Sequence, residues 1–210
     1  MFARDRYLNM LIDAMWDGEI KVIIGLRRSG KSTLLFGLFR DYLKQQGVMD
    51  NQILCYELGQ RKYYKYRNQN TLCEEVEEIV SSNKEKKYYL FIDEIQFTQK
   101  VKDKEAGNIE VTIYDMLNEL KSYPNLDVYV TGSNSKMLSK DIATEFRGRS
   151  TQITVYPLSF AEYFECVGGN WRDVLDQYMV FGGMPALLEK KNERQKIEYL
   201  ENLYDKVYIS

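Results

Sequence analysis

The stretch KVIIGLRRSGKSTLLFGLF, residues 21–39, decides the fold of this 210-residue chain. Its apolar start predicts a short buried strand, and the apolar spacing after residue 33 predicts an amphipathic helix. Between the two, Gly25 to Ser32 match every fixed position of the pattern G-x-x-x-x-G-K-[ST], which is typical of phosphate-binding loops. A glycine turn can match this pattern by chance, but here the strand and the helix provide the context that the motif requires.

The chemistry of this loop follows from its residue types. Glycines let the backbone curl so that successive N–H groups face a phosphate, and the helix that starts near Lys31 adds its N-terminal dipole. Lys31 is predicted to reach the β- and γ-phosphates, and the Ser32 hydroxyl is predicted to ligate Mg²⁺. The side chains of Arg27 and Arg28 occupy variable positions. The residues that we assign to nucleotide binding in this segment are Gly25, Arg28, Ser29, Gly30, Lys31, Ser32 and Thr33.

A second motif, LFIDE at residues 90–94, supplies two carboxylates after an apolar run. Asp93 stands at the carboxyl end of the predicted strand, where open α/β sheets bind their ligands, and is predicted to hold Mg²⁺. Glu94 is then placed to orient and deprotonate an attacking water. Gln96 could assist with this water, although an ordinary loop amide is the simpler interpretation. The alternative for the acidic pair is a cap on a strand–loop junction.

Polar residues also follow the predicted strand LDVYVTGS, residues 126–133. A polar side chain at this strand end could hydrogen-bond the γ-phosphate and its water; Asn134 is the first candidate and Ser133 the second. The alternative is a polar turn or a helix N-cap after the strand.

Two arginines, Arg147 and Arg149, flank a glycine in FRGRS, residues 146–150. An arginine at this place can act as a finger that neutralises the charge developing on a transferred phosphate. Arg149 is favoured for this role and Arg147 is next. Solvated or salt-bridged arginines are the alternative.

The rest of the chain alternates predicted strands with predicted helices, which indicates a parallel sheet covered on both faces. Residues 98–109 are predicted to form a mobile loop. The further predicted strands are QILCYEL (52–58), KKYYLFIDEI (86–95) and TQITVYPLS (151–159), and the predicted helices span residues 4–16, 71–82, 113–123 and 136–145.

Composition excludes several kinds of chemistry. The chain has no histidine, a formal net charge of -2, and three cysteines without close spacing. Histidine bases and histidine metal ligands are therefore absent, and neither a zinc site nor a disulfide framework is expected. No apolar run approaches the ~18 residues of a membrane span, and the N-terminus lacks a signal-peptide pattern. We therefore expect a cytoplasmic protein without a membrane partner.

The segment RKYYKYR, residues 61–67, alternates cations with tyrosines. Such a segment could follow a phosphate backbone and stack bases, so DNA is a candidate partner on weak grounds. The alternative is an exposed loop with solvated charges, which the acidic overall balance favours.

The order of these motifs resembles that of the AAA+ ATPases. RRSGKSTLL, FIDEIQ, YVTGSNSKMLS, FRGRS, YPLSFAEYF and FGGMPALL are similar to segments of a large group of predicted prokaryotic AAA+-type ATPases, and the resemblance covers residues 1–209. It implies a P-loop NTPase three-layer α/β sandwich with a five-stranded parallel sheet in the order 5-1-4-3-2. It also implies Asn134 or Ser133 as sensor and Arg149 or Arg147 as finger, with ATP preferred over GTP.

The predicted organisation is a nucleotide-binding domain, residues 1–156, and a small helical subdomain, residues 157–210, truncated before a further C-terminal domain. The predicted activity is Mg²⁺-dependent ATP hydrolysis that drives a conformational change. A slow-turnover ATP-gated switch or scaffold is the main alternative, with DNA association as an additional possibility. A homo-oligomer or a protein partner is compatible with either activity. A small-molecule P-loop kinase is disfavoured because an arginine-rich lid and an acceptor site are not recognisable.

Overall fold

The computed structural model of the chain describes residues 4–103, 109–132 and 150–205. Its centre is a five-stranded sheet in which all neighbouring strands pair in parallel. A separate antiparallel pair lies outside this sheet. The strands of the main sheet are β1 (Ile20–Ile24), β2 (Ile53–Glu57), β3 (Tyr88–Asp93), β6 (Leu126–Thr131) and β7 (Ser150–Thr154), and the separate pair is β4 (Val101–Asp103) with β5 (Ile109–Val111).

The strand order β2-β3-β6-β1-β7 confirms the predicted order 5-1-4-3-2 when only the strands of the main sheet are numbered. Every residue of β1, β3 and β6 is buried, whereas the edge strand β7 is mostly half-buried. This burial on both faces explains why the central strands are mostly apolar, with Lys21 in β1 and Asp127 in β6 as buried exceptions. Because β3 and β6 are neighbours and both run toward the same edge, their carboxyl ends lie side by side.

Helices cover the sheet on both faces. Side chains alternate along each strand, so Leu90 and Ile92 pack against one helical layer while Phe91 packs against the other. The predicted helices at 4–16, 71–82 and 113–123 are confirmed, and the one at 136–145 lies outside the described residues. The helices are α1 (Asp5–Asp13), α2 (Arg40–Gln45), α3 (Gln69–Ser82), α4 (Ile113–Leu120), α5 (Phe160–Val167), α6 (Trp171–Phe181) and α7 (Glu193–Tyr204).

The helix after the glycine-rich loop is wider than a regular α-helix over much of its length. Thr33–Phe39 form a π-helical segment that continues directly into α2. The apolar spacing that predicted this helix still buries Leu34, Leu35 and Phe39 against the sheet. π-Helical turns are rare in proteins, and those that occur are often found near functional sites.

One predicted loop is partly ordered. Residues 98–109 were expected to lack regular structure, yet β4 pairs with β5 through Val101 and Val111. This prediction was wrong for Val101–Asp103 and for Ile109, because each strand has only three residues, too few to show an alternating apolar pattern. An ion pair between Lys100 and Glu110 adds to the contact.

Residues after β7 pack around two smaller apolar clusters, centred on Tyr163 and on Phe181. The predicted division between residues 156 and 157 stays a prediction. Within the part of the chain that the structure describes, every helix is too short or too polar to cross a lipid bilayer.

The amino ends of β1 and β6 are joined by a buried ion pair. Lys21 is fully buried, and its Nζ lies 2.6 Å from Asp127 Oδ1 and 2.7 Å from Asp17 Oδ1. Asp127 Oδ2 also accepts hydrogen bonds from the Tyr129 hydroxyl at 2.8 Å and the Trp16 N–H at 3.0 Å. This network fixes the connection from α1 into the sheet at the edge opposite the phosphate loop.

We expect Lys21→Met to lower the free energy of unfolding by about 3 kcal/mol, because it leaves Asp127 buried without its cation. Lys44→Met is the matched control, since Lys44 pairs with Asp50 on the surface and its loss costs about 0.5 kcal/mol. Urea unfolding of the two variants measures the difference. Equal costs would contradict the structural role of the Lys21 network.

Candidate functional site

The glycine-rich loop owes its shape to close packing against the exit of β7. Gly25 has φ 145°, and a Cβ atom added there would lie 2.1 Å from the Val155 carbonyl oxygen, so only glycine fits. Val155 N–H donates to the Ile24 oxygen at 2.8 Å, which holds the two segments together. Within the loop Gly30 has φ 98°, and Arg28 has φ 66°, a conformation that costs a non-glycine residue about 1 kcal/mol.

Lys31 spans this loop from inside. The side chain is only 4 % exposed, and its Nζ donates to the Gly25 oxygen at 3.0 Å and to the Leu26 oxygen at 2.9 Å. Burial lowers the pKa of Lys31, while the nearby carboxylates of Glu94 and Asp93 act in the opposite direction. The ammonium group is thus held beside the loop backbone and next to two acids.

The loop, β3 and β6 meet at the carboxylate of Asp93. The Ser32 hydroxyl lies 2.9 Å from Asp93 Oδ2 and 3.1 Å from Oδ1, and the Thr131 hydroxyl donates to Oδ1. Burial raises the pKa of Asp93, while the hydrogen bonds from Thr131 and Ser32 lower it in part. Ser32 and Asp93, each predicted to bind Mg²⁺, are therefore in direct contact, and their role as metal ligands stays a prediction. Thr131 was not among the predicted site residues, although it belongs to the polar strand end TGSN from which Ser133 and Asn134 were chosen.

Glu94 follows Asp93 in a left-handed backbone conformation, with φ 58° and ψ 53°. Its N–H donates to Thr131 Oγ1 at 3.4 Å, and its carboxylate accepts a hydrogen bond from the Gln96 amide. Gln96 thus contacts the glutamate directly.

A cavity of about 540 Å³ brings the predicted groups together. It is bounded by the loop on one side and by the segment after Gly183 on the other. Its lining residues are Arg28, Gly30, Lys31, Ser32, Thr33, Glu94, Pro185, Ala186 and Glu189.

Pro185 and Ala186 of the segment FGGMPAL, residues 181–187, line the far side of this cavity, a position that the sequence motif alone did not indicate. A Cβ atom at Gly183 would lie 1.9 Å from the Leu158 oxygen, and Leu158 N–H donates to the Gly183 oxygen at 2.7 Å. Pro185 opens a 3₁₀ turn and stands beside Gly30. The glycine therefore permits the close approach that brings Pro185 and Glu189 to the loop.

Four predicted site residues, Ser133, Asn134, Arg147 and Arg149, lie outside the described residues. Their roles as sensor and finger stay predictions. β6 ends at Thr131, whose hydroxyl donates to Asp93. The strand that precedes Ser133 therefore lies beside the Asp93 strand, as predicted.

The segment RKYYKYR forms a 3₁₀ helix over Arg61–Arg67. The Tyr66 hydroxyl donates to the Glu75 carboxylate at 2.6 Å, and Lys65 lies 3.4 Å from the same acid. The Arg67 guanidinium lies 3.9 Å from the ring centre of Tyr64 and donates to a backbone oxygen. Lys62 Nζ lies 4.5 Å from the ring centre of Tyr63, so intramolecular contacts engage three of the four cations, Lys62, Lys65 and Arg67.

The sequence of residues 17–164 matches the family described as an AAA domain. Since this match covers more than half of the chain, the protein belongs to that family. The family match, the fold and the order of the sequence motifs together place the chain in the AAA+ class of P-loop ATPases. This confirms the resemblance seen in the sequence.

Two relatives carry the resemblance over most of the chain. An uncharacterized protein of Haemophilus influenzae is 33 % identical over 215 residues, which span all of this chain and 50 % of that protein. An uncharacterized protein of Methanocaldococcus jannaschii is 28 % identical over 205 residues, which span 89 % of this chain and 41 % of that protein. The chain thus spans about half the length of the relatives that it matches.

Solved structures share the fold at low sequence identity. The Walker-type ATPase of Pyrococcus abyssi superposes with a TM-score of 0.60 at 15 % identity, covering all of this chain and 74 % of the other. AMPPCP-bound DnaA from Aquifex aeolicus superposes with a TM-score of 0.55 at 14 % identity, covering 96 % and 62 %. At these identities the comparison establishes the architecture alone.

We expect Gly25→Ala to reduce the free energy of unfolding by at least about 2 kcal/mol more than Gly47→Ala does. Both glycines have positive φ, but only Gly25 has a backbone oxygen in the place of the new methyl group. Urea denaturation gives the free energy of unfolding of each variant. The difference between the two losses is the contribution of the clash with Val155, since the backbone strain is common to both. Similar losses in the two proteins would show that the loop can move away from Val155.

We expect Asp93→Asn to raise the free energy of unfolding near neutral pH in the presence of a chelator. Burial raises the pKa of Asp93 in the folded state. Above that pKa the buried carboxylate is ionised and destabilises the fold. Below the unfolded-state pKa of about 3.9 Asp93 is protonated in both states and costs no stability. The advantage of the variant over wild type should therefore shrink as the pH falls toward 4. Urea unfolding at two pH values tests this, and a destabilised variant at neutral pH would contradict it.

Proposed function

We propose that this chain binds ATP on the loop from Gly25 to Ser32 and hydrolyses it with Mg²⁺, in a reaction coupled to a conformational change. One observation carries the proposal: Lys31, Ser32 and Glu94 line a single cavity, and the Ser32 hydroxyl contacts the Asp93 carboxylate directly behind it. These are a phosphate ligand, a set of magnesium ligands and a base. A site that only held phosphate would not need the base.

The loop is suited to the triphosphate. Lys31 Nζ donates to two backbone oxygens, and phosphate oxygens are stronger acceptors for an ammonium group than carbonyl oxygens are. The helix that begins at Lys31 directs its N-terminal N–H groups toward the same cavity. We therefore assign the β- and γ-phosphates to Lys31 and the loop backbone, with Thr33 at the edge of the site.

The donor set fits magnesium. Hydroxyl and carboxylate oxygens are the ligands that Mg²⁺ prefers, and Ser32 and Asp93 place such oxygens 2.9 Å apart at the rim of the loop. The Asp93 carboxylate contacts two hydroxyl groups, and Glu94 adds a second negative charge beside it. A bound Mg²⁺ would supply charge neutralisation for the phosphates.

Glu94 is our candidate for the base. It orients a water molecule and accepts its proton as the water oxygen attacks the γ-phosphorus. The bond from that phosphorus to the β–γ bridging oxygen breaks, and ADP leaves with the electron pair. Lys31 balances the negative charge that develops on the oxygens of the transferred group.

Further roles in this proposal come from sequence position. Asn134 or Ser133 would contact the γ-phosphate, and Arg149 or Arg147 would reach a phosphate as a finger, within the chain or from a neighbouring copy. The family membership and the AMPPCP-bound DnaA neighbour support ATP as the nucleotide. The three free cysteines suit a cytoplasmic location, which we also propose.

We expect Glu94→Gln to reduce ATP turnover at least about 100-fold while leaving the dissociation constant for ATP within about threefold, because it removes the base and keeps the loop. Glu189→Gln is the matched control, since it neutralises another carboxylate of the same cavity and should leave turnover nearly unchanged. Phosphate release and nucleotide binding are measured on each protein.

Two outcomes would count against this assignment. If wild type and Glu94→Gln bind ATP and release phosphate equally slowly, the chain is an ATP-gated switch and not a hydrolysing enzyme. If Lys31→Ala binds ATP as tightly as wild type does, the phosphate loop is not the binding site.

A further inference from the structure

Arg4 is a buried arginine at the start of α1, and only 3 % of it is exposed. It precedes the segment 17–164 that matches the family, so that match assigns it no role. Burial of an arginine is unfavourable unless its donors find partners. The backbone of Arg4 is held at the start of the helix, because its carbonyl oxygen accepts hydrogen bonds from the N–H groups of Tyr7 and Leu8, both at 2.9 Å.

The guanidinium group of Arg4 connects three distant segments. Nη1 donates to the Ser29 oxygen at 3.0 Å, and Nη2 donates to the Tyr156 oxygen at 2.7 Å. Nε lies 3.0 Å from a carboxylate oxygen of Glu162 in the first turn of α5. The group also lies 4.5 Å from the ring centre of Tyr7. A planar fork of donors can reach several acceptors at once, which a lysine cannot do.

The contact with Ser29 acts on the phosphate loop itself. In a planar trans peptide the carbonyl and the following N–H point in opposite directions. When Arg4 holds the Ser29 oxygen on the back of the loop, the Gly30 N–H is therefore turned to the front. Gly30 lines the cavity together with Lys31, and because glycine has no Cβ it adopts φ 98° without strain and leaves that peptide free to rotate unless it is held.

We infer that Arg4 is a positioning residue for the phosphate loop: by holding the Ser29 oxygen it orients the Gly30 N–H toward the nucleotide phosphates. This inference rests on the proposed function, because it needs ATP to bind at this loop. It also explains why a cation is buried behind a loop that binds an anion. The ion pair with Glu162 anchors Arg4 and does not itself touch the loop.

The test is the dissociation constant for ATP, measured by fluorescence titration with a labelled ATP analogue and by competition with ATP. We expect Arg4→Met to raise this constant about tenfold, which corresponds to about 1.4 kcal/mol. Arg4→Lys, which keeps the charge but cannot hold all the acceptors, should raise it by a smaller factor. Circular dichroism establishes that each variant is folded, and Arg4→Lys carries the test if Arg4→Met is not.

Two matched controls separate positioning from general effects. Arg6→Met removes an exposed cation of the same helix and should leave ATP affinity within about twofold, if long-range charge is not the cause. Glu162→Gln keeps its cap on α5 but loses the charge partner of Arg4, so it should lower the melting temperature without a comparable loss of affinity.

The outcomes are distinguishable. Weaker binding in both Arg4 variants, with normal binding in both controls, supports the inference. If folded Arg4→Met binds ATP as tightly as wild type does, Arg4 has a structural role alone and the inference is wrong. If wild type itself binds no ATP, the proposed function is wrong and this inference falls with it.

Discussion

The hydrogen bonds to the buried carboxylate of Asp93 are the interaction on which the site depends. They join the phosphate loop through Ser32 to the ends of β3 and β6, the latter through Thr131. A carboxylate in such a position is costly to bury, as its raised pKa indicates. The buried carboxylate lowers stability at the place where a bound divalent cation would neutralise its charge. Proteins commonly lose some stability at functional sites in this way.

The two ends of the parallel strands carry different features: a buried ion pair at the amino ends and the candidate site at the carboxyl ends. At the amino ends of the strands, Lys21 and Asp127 form a buried ion pair that contacts no part of the loop. At the carboxyl ends, the loop and Glu94 line the cavity, and Asp93 lies behind them in contact with Ser32, as expected of ligand sites in open parallel sheets. Residues after β7 then complete the site from outside the sheet, because Gly183 allows the Pro185 segment to approach the loop.

Local patterns in the sequence were sufficient for much of the fold and the core of the site. The strand–loop–helix stretch at residues 21–39 and the motif LFIDE are short, contiguous signals, and parallel topology brings them together without further information. Contacts between distant segments left no such signal. Arg4 and Glu189 reach the site only through tertiary packing, and a single polar residue carries no period that could indicate this. The antiparallel β4–β5 pair was missed for a related reason, since its strands have only three residues each.

We propose that Asp93 and Ser32 form the magnesium site of an ATP-binding loop. The most direct test of this proposal is calorimetric titration of ATP into wild type and into Asp93→Asn, each with Mg²⁺ and with a chelator. We expect Mg²⁺ to strengthen ATP binding by wild type, and we expect Asp93→Asn to lose that strengthening while still binding ATP through Lys31. An unchanged dependence on Mg²⁺ in Asp93→Asn would contradict the account.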